Sequence, residues 1–185
     1  MTDTRPEIII RDGLERDIAA CLTLETTNET EYVWQMTIQP NKRGWQVNFR
    51  TERLPRSITI THTVDKLRLR QALSPDMCFL FAAHKDDDTP LAFLTMRPHP
   101  VYPHAVIKDI VVSADHRRYG IGSRLLNIAR RWAAEQQLER ILIETQTKNY
   151  PGIQFCQKNG FTFCGFNDEY YPNHDIAVYF GQTLR

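Results

Sequence analysis

The stretch Arg117-Arg118-Tyr119-Gly120-Ile121-Gly122-Ser123-Arg124 packs basic and glycine residues into one short span. An apolar run, Val106 to Val112, precedes it, and a segment of helical periodicity follows. Strand, basic glycine loop and helix, in that order, aim free backbone N–H groups at an anion. They do so at the positive end of a helix dipole, with Arg117, Arg118 and Arg124 close enough to add charge. Glycines at 120 and 122 remove the Cβ atoms that would hold a diphosphate away from the main chain. The chemistry indicated is phosphate binding; the alternative is a tight turn with solvated arginines.

The elements that must position this loop can be read from spacing. Ile121, Leu125, Ile128 or Ala129, and Trp132 recur as one buried helical stripe, with Arg124, Arg130, Arg131, Glu135 and Gln136 facing outward. The helix runs to about Gln137, and Ile141-Leu142-Ile143 reads as a short buried strand. The loop therefore lies in a β-α-β unit with a right-handed crossover between parallel strands. Three phosphate ligands compete. A dinucleotide loop needs a third glycine, but Leu125 stands three residues beyond Gly122. A Walker-type loop needs Gly-Lys-Ser/Thr, which is absent here. The pyrophosphate of coenzyme A is the third.

Arg117-x-x-Gly120-x-Gly122, with Asp109-Ile110-Val111-Val112 before it and Ser123-Arg124-Leu125-Leu126 after it, resembles the coenzyme A signature of the GNAT superfamily of N-acetyltransferases. Phe155-Cys156-Gln157-Lys158-Asn159-Gly160-Phe161 is similar to the second cofactor motif of that superfamily. Glu144-Thr145-Gln146 and the tail from Gly165 to Phe180 look most like streptothricin acetyltransferases. The resemblance is strong from about residue 76 onward and weak before it.

The resemblance implies a mixed, mostly antiparallel α/β sheet flanked by helices, acetyl-coenzyme A as co-substrate, no metal, and transfer of an acetyl group to a primary amine. Expected cofactor contacts are Ile110, Val111, Val112, Arg117, Arg118, Tyr119, Gly120, Ile121, Gly122, Ser123, Asn149 and Phe155. A backbone N–H within Ile110 to Val112 would bond the thioester carbonyl. Such a donor is commonly worth ~3 kcal/mol, against ~1 kcal/mol for a helix dipole acting on an exposed anion. Asn149 would contact the pantetheine arm, although an N-cap for the following helix explains it as well.

An amine attacks only when unprotonated, so a site carboxylate must accept its proton. Asp109 and Glu144 are the candidates, with Asp109 also readable as a structural acid paired with Lys108 or Arg97. Cys156 stands where the superfamily often has a tyrosine acting as general acid. It is either a weak substitute or a small buried filler, and Tyr150, Tyr170 and Tyr171 are other substitutes. The acceptor is expected to be a small, streptothricin-like amine. A protein or peptide amine, a non-catalytic acyl-coenzyme A-binding module and a nucleotide-dependent enzyme are the competing readings.

The chain has 185 residues, 42% hydrophobic and 24% charged, with net charge +1. That suits one domain, residues 1–185, with acceptor-side helices and loops over 1–75 and a cofactor core over 76–185. The near-neutral balance gives no reason to expect nucleic acid or membrane partners. The opening segment is polar and no apolar run reaches membrane-spanning length. Cysteines 21, 78, 156 and 164 form no Cys-x-x-Cys pair. These features fit reduced thiols and a cytoplasmic location; a homodimer is left open. His99 and His104 lack a third metal ligand, His116 reads as solvated, and Trp34 and Trp45 read as core or acceptor-pocket aromatics.

Strands are expected at Glu7–Arg11, Met77–His84, Leu91–Arg97, Phe163–Phe166 and Ile176–Phe180. Helices are expected at Arg16–Glu25, Val64–Leu73 and Asn149–Asn159. Trp45, Val47 and Phe49 alternate as a strand that Pro55 should break.

Overall fold

A computed structural model describes residues 7–184; the polar opening residues 1–6 and Arg185 lie outside it. The elements are β1 (Ile8–Asp12), α1 (Asp17–Thr23), β2 (Thr27–Asn41), β3 (Gly44–Thr61), α2 (Lys66–Gln71), β4 (Cys78–His84), β5 (Pro90–Pro98), β6 (His104–Val112), a 3-10 turn (Ala114–His116), α3 (Ile121–Glu135), β7 (Arg140–Gln146), α4 (Tyr150–Lys158), β8 (Thr162–Asn167) and β9 (Ala177–Thr183). This is a mixed α/β chain whose strand pairing is mostly antiparallel. It divides into two compact units. The first holds the described residues up to Thr26, His62–Ile143 and those from Gly181; the second holds Thr27–Thr61 and Glu144–Phe180.

In the first unit the strand order is β1-β4-β5-β6-β7. All neighbours are antiparallel except β6 and β7, which pair in parallel from His104↔Arg140 to Ile107↔Ile143. β4 and β5 are buried along nearly their whole length, and Phe81 and Phe93 are almost fully enclosed. Continuous apolar strands of this kind require cover on both faces. Helix α3 lies against β4, β5 and β6 and buries Ile121, Leu125, Leu126, Ala129 and Ala133, the stripe its spacing predicts. Helix α1 contributes Ile18 and Cys21, and α2 contributes Leu69, to the cluster containing Phe79, Phe81 and Phe93. Strand β6 alternates half-buried and buried residues, placing Ala105, Ile107, Asp109 and Val111 on its buried face. An aspartate in that position needs compensation.

The second unit differs from expectation. The strand expected at Trp45, Val47 and Phe49 is present within β3, but in place of the helices and loops expected around it β2 and β3 form a long antiparallel hairpin, paired from Thr27↔Thr61 to Asn41↔Gly44. Pro55 does not end the strand. The register passes from Tyr32↔Arg53 to Thr30↔Ile58, so Pro55 falls in a bulge that needs no ladder N–H. The hairpin is anchored midway by Trp34, whose ring meets Phe49, Phe163 and Phe180 at centroid separations of 5.6–5.9 Å. The Trp34 N–H also donates to the Thr147 carbonyl at 2.9 Å. Trp45, near the tip, is 73% exposed and packs no core. The strand order among the remaining strands is β7-β9-β8. Helix α4 opens on Asn149, whose side chain accepts from the Gly152 N–H, with Pro151 in its first turn.

Candidate active site

The glycine loop follows directly from β6. The ladder joining β6 to β7 stops at Ile107↔Ile143, yet β6 runs on to Val112. Ile110, Val111 and Val112 lie in the part of β6 that follows these pairs. A bulge marks the same place: Thr95 pairs with Asp109 and Met96 with Ile107, leaving Lys108 as the extra residue. After the 3-10 turn, Arg118 (φ 71°) and Gly120 (φ 82°) are both left-handed, which turns the chain sharply into α3.

No side chain caps the start of α3. A Cβ built at Gly120 would meet no atom within 4 Å, so the face in front of the helix start is open. Ile121 is 2% exposed and Gly122 is buried, and both stand in the first turn of α3, whose N–H groups have no acceptor within the helix. Arg118, Tyr119 and Arg124 are exposed and Ser123 is half-buried. An uncapped helix start with open space before it suits a phosphate. The Arg117 guanidinium is tied to the main chain: its Nε donates to the Val112 carbonyl at 3.1 Å and a terminal nitrogen donates to the Glu25 carbonyl at 3.0 Å. It holds the loop against the end of β6. His116 makes a long local contact of 3.4 Å to Ser113 Oγ.

Asp109 is 1% exposed. It accepts from Thr95 Oγ1 at 2.6 Å and from Arg68 at 2.7 and 3.1 Å, and lies 2.8 Å from His62 Nε2. Burial would push its carboxyl up, but the hydrogen bonds from His62 and Thr95 and the charge of Arg68 outweigh burial and hold it below the usual carboxylate range. The expected partners Lys108 and Arg97 are not the ones used. His62 and Arg68 were missed by sequence reasoning because they lie 47 and 41 residues away along the chain, in its least legible part.

In the second unit, Glu144 Oε1 accepts from the Tyr171 hydroxyl at 3.0 Å. Tyr170 stands 5.1 Å from the Tyr171 ring and 6.3 Å from Tyr179. The charge of Glu144, with burial, pushes the Tyr170 phenol up to about 12. Burial and then Glu144 raise Tyr171 as well, and the same two causes raise Tyr179. Both ends of the Asn149 amide are engaged: Oδ1 accepts from Gly152 N–H at 3.1 Å and Nδ2 donates to Thr145 Oγ1 at 3.0 Å. Phe155 is half-buried on α4.

Cys156 shares the buried stripe of α4 with Ile153 and is 1% exposed; burial pushes its thiol up to about 12. A thiol enclosed on the core face of α4 fits the second of its two readings, a small buried filler. A cavity of about 360 Å³ also opens in this unit, with Trp34, Met36, Leu54 and Ile58 on its apolar side and Lys148 and Asp175 on its polar side. The His99 and His104 rings lie 4.6 Å apart, tilted by 32°, and no group of three metal-ligating side chains occurs among the described residues.

The sequence pattern of the acetyltransferase (GNAT) family matches residues 45–161. The chain belongs to the acetyltransferase (GNAT) family. A streptothricin acetyltransferase from Escherichia coli is 43% identical over 63 residues, covering 34% of this chain and 36% of that protein. The chain thus matches little more than a third of that relative's length. Among solved structures, a nourseothricin acetyltransferase superposes with a TM-score of 0.82 at 22% identity, covering 96% of this chain and 99% of that one. A putative streptothricin acetyltransferase from Bacillus anthracis str. Ames, in complex with acetyl coenzyme A, superposes with a TM-score of 0.80 at 21% identity, covering 97% of this chain and 99% of that one. These superpositions establish the GNAT fold. No helix among the described residues is long and apolar enough to cross a membrane.

Proposed function

We propose that this GNAT protein is an acetyl-coenzyme A-dependent N-acetyltransferase acting on a primary amine of a small, streptothricin-like molecule. The observation that carries the reading is the uncapped start of α3 behind left-handed Gly120, with open space where a side chain would stand. Family membership and the acetyl coenzyme A complex of the B. anthracis protein support the same co-substrate.

Acetyl-coenzyme A would supply an activated acetyl thioester. The backbone N–H groups of Gly120, Ile121, Gly122 and Ser123 would hold its pyrophosphate, with Arg118 and Tyr119 at the exposed rim. Arg117 acts by keeping that loop in shape. The edge of β6 at Ile110, Val111 and Val112 offers main-chain donors and acceptors to the amide-bearing arm and a donor to the thioester oxygen. Asn149 and Phe155 complete the proposed cofactor set. Glu144 is the carboxylate we assign to take the proton from the amine. Asp109, already saturated by three partners, positions His62 and Arg68 instead. Residues up to 75 form the proposed acceptor side. Four free cysteines fit a reducing cytoplasm.

The test is thiol release from acetyl-coenzyme A in the presence of a streptothricin, with the product identified by mass spectrometry. Release matched by acetylated amine is expected. Firm acetyl-coenzyme A binding with no product across a panel of lysine-like amines would leave only a binding module. Binding of ATP or NAD in its place would overturn the loop assignment itself.

A further inference from the structure

The register of the β2–β3 ribbon sorts its side chains onto two unlike faces. Met36 pairs with Phe49, Ile38 with Val47 and Pro40 with Trp45, which puts six apolar residues on one face. The other face carries Gln35 with Arg50, Thr37 with Asn48 and Gln39 with Gln46. Toward the closed end of the hairpin, support for the apolar row runs out in steps. Trp34 meets Phe180 of β9 and Phe163 of β8, whereas Phe49 meets only β8, at Phe163 and Phe166. β8 is the last strand in the order, and beyond Phe49 the side chains open to solvent: Ile38, Val47 and Trp45 are 40, 38 and 73% exposed. The ribbon thus overhangs the outer strand of its own unit by four residue pairs, about 14 Å, with its apolar face bare. Charge is left unmatched at the same two places. The ion pairs of this unit are Arg50–Glu52, Arg53–Glu31 and Lys148–Asp175. Lys42 and Arg43, in the turn beside Trp45, and Asp168 and Glu169, directly after β8, are exposed and enter no ion pair among the described residues.

We infer that the overhanging ribbon docks on a second copy of this chain, in a two-fold dimer in which each ribbon lies across the β8 strand of the other copy. The apolar row, led by Trp45, covers Phe163, which is 41% exposed, and Lys42 and Arg43 meet Asp168 and Glu169. The occupant is a second copy because the complement of the tip stands on the chain's own outer strand: an apolar row faces a half-open ring, and two bases face two acids. A two-fold axis makes each of these contacts twice and closes the assembly at two chains. Trp45 alone offers on the order of 150–200 Å². The doubled contact reaches roughly 600 Å² per partner, the low end for a specific interface, so dissociation in the micromolar range is expected.

The experiment is sedimentation velocity of the full chain over a concentration series. The parent should move from one chain mass to two as concentration rises, and Trp45→Ser should raise the dissociation constant about tenfold or more. Reciprocity supplies the sharper test. Lys42→Glu with Arg43→Glu sets acid against acid, and Asp168→Lys with Glu169→Lys sets base against base, so each double variant alone should stay monomeric. Mixed in equal amounts, the two should pair, because both contacts then join opposite charges. All five positions are exposed, so circular dichroism and melting of every variant should match the parent. A parent that keeps one chain mass throughout, Trp45→Ser with parental affinity, or charge variants that ignore each other on mixing overturns the inference. So does a monomer that binds vesicles of anionic phospholipid through Trp45, which would make the ribbon a membrane contact instead.

Discussion

Removing Arg68 should convert Asp109 from a stabilising group into a destabilising one, and the size of the effect can be worked out in advance. The carboxylate is 1% exposed and is held ionised against the pull of burial by Arg68, His62 and Thr95. Breaking a buried ion pair from one side commonly costs ~3–5 kcal/mol, because the charge left behind has lost its solvent and its partner. Arg68 is 34% exposed along its side chain, and His62 and Thr95 stay in place in Arg68→Ala. The expected loss is therefore at the lower end, about 3 kcal/mol at neutral pH. In a chain of this size that corresponds to a fall in Tm of roughly 6–12 °C.

The pH dependence gives the decisive sign. In the parent, the folded carboxyl sits below its unfolded value, so its contribution is complete above the ordinary aspartate pKa of ~3.9 and fades as pH falls through the lower folded value. In Arg68→Ala, burial acts against fewer opponents and the folded carboxyl moves up. The gap to the parent therefore narrows as pH falls through the variant's higher folded value. Urea unfolding at several pH values measures it. Asp109→Asn placed in the Arg68→Ala background should restore part of the loss, since it removes the stranded charge. A loss under about 1 kcal/mol, or a gap that stays constant with pH, would refute this account of the cluster.

Gly120→Val puts a branched side chain at φ 82°, where it meets no neighbour but carries backbone strain of about 1–2 kcal/mol; Tm should fall modestly while acetyl-coenzyme A binding, read by calorimetry, is lost. Cys156→Ala should leave turnover unchanged and cost about 1 kcal/mol of stability in urea melts, because the thiol fills space and donates no proton. Iodoacetamide mapped by mass spectrometry should label Cys164, the exposed thiol, well before Cys21, Cys78 or Cys156. Asn149→Ala should lower stability by about 1 kcal/mol through loss of the α4 cap, with the change in thermal melting as the readout.

The cofactor half was legible because its signals are local. One helical stripe, two glycines and a flanking apolar strand fix β6, the loop and α3, and the structure returns all three at nearly the expected residues. The hairpin was not legible. From Ile38 to Asn48 its residues are exposed on both faces, so no alternation marks it as paired strands. Pro55 reads as a breaker until the bulge at Thr30/Tyr32 shows where its missing N–H is tolerated. The partners of Asp109 and Glu144 escaped for a different reason. His62, Arg68 and Tyr171 reach their carboxylates across 47, 41 and 27 residues of chain, and no spacing rule covers contacts made only by tertiary structure.

Those contacts set apart two carboxylates that look equivalent on paper. Asp109 and Glu144 both lie on strands and both could accept a proton in principle. A proton acceptor needs a free lone pair and enough basicity to hold the proton it takes. Asp109 is bonded through both oxygens and its proton affinity is lowered, so protonating it would break up the cluster that joins β6 to α2. Glu144 has a hydroxyl on Oε1, and no described side chain brings it a positive charge. On this geometry the proton-accepting role is proposed for Glu144, whose carboxylate has one hydroxyl partner, and the positioning role for Asp109, whose two oxygens are already bonded.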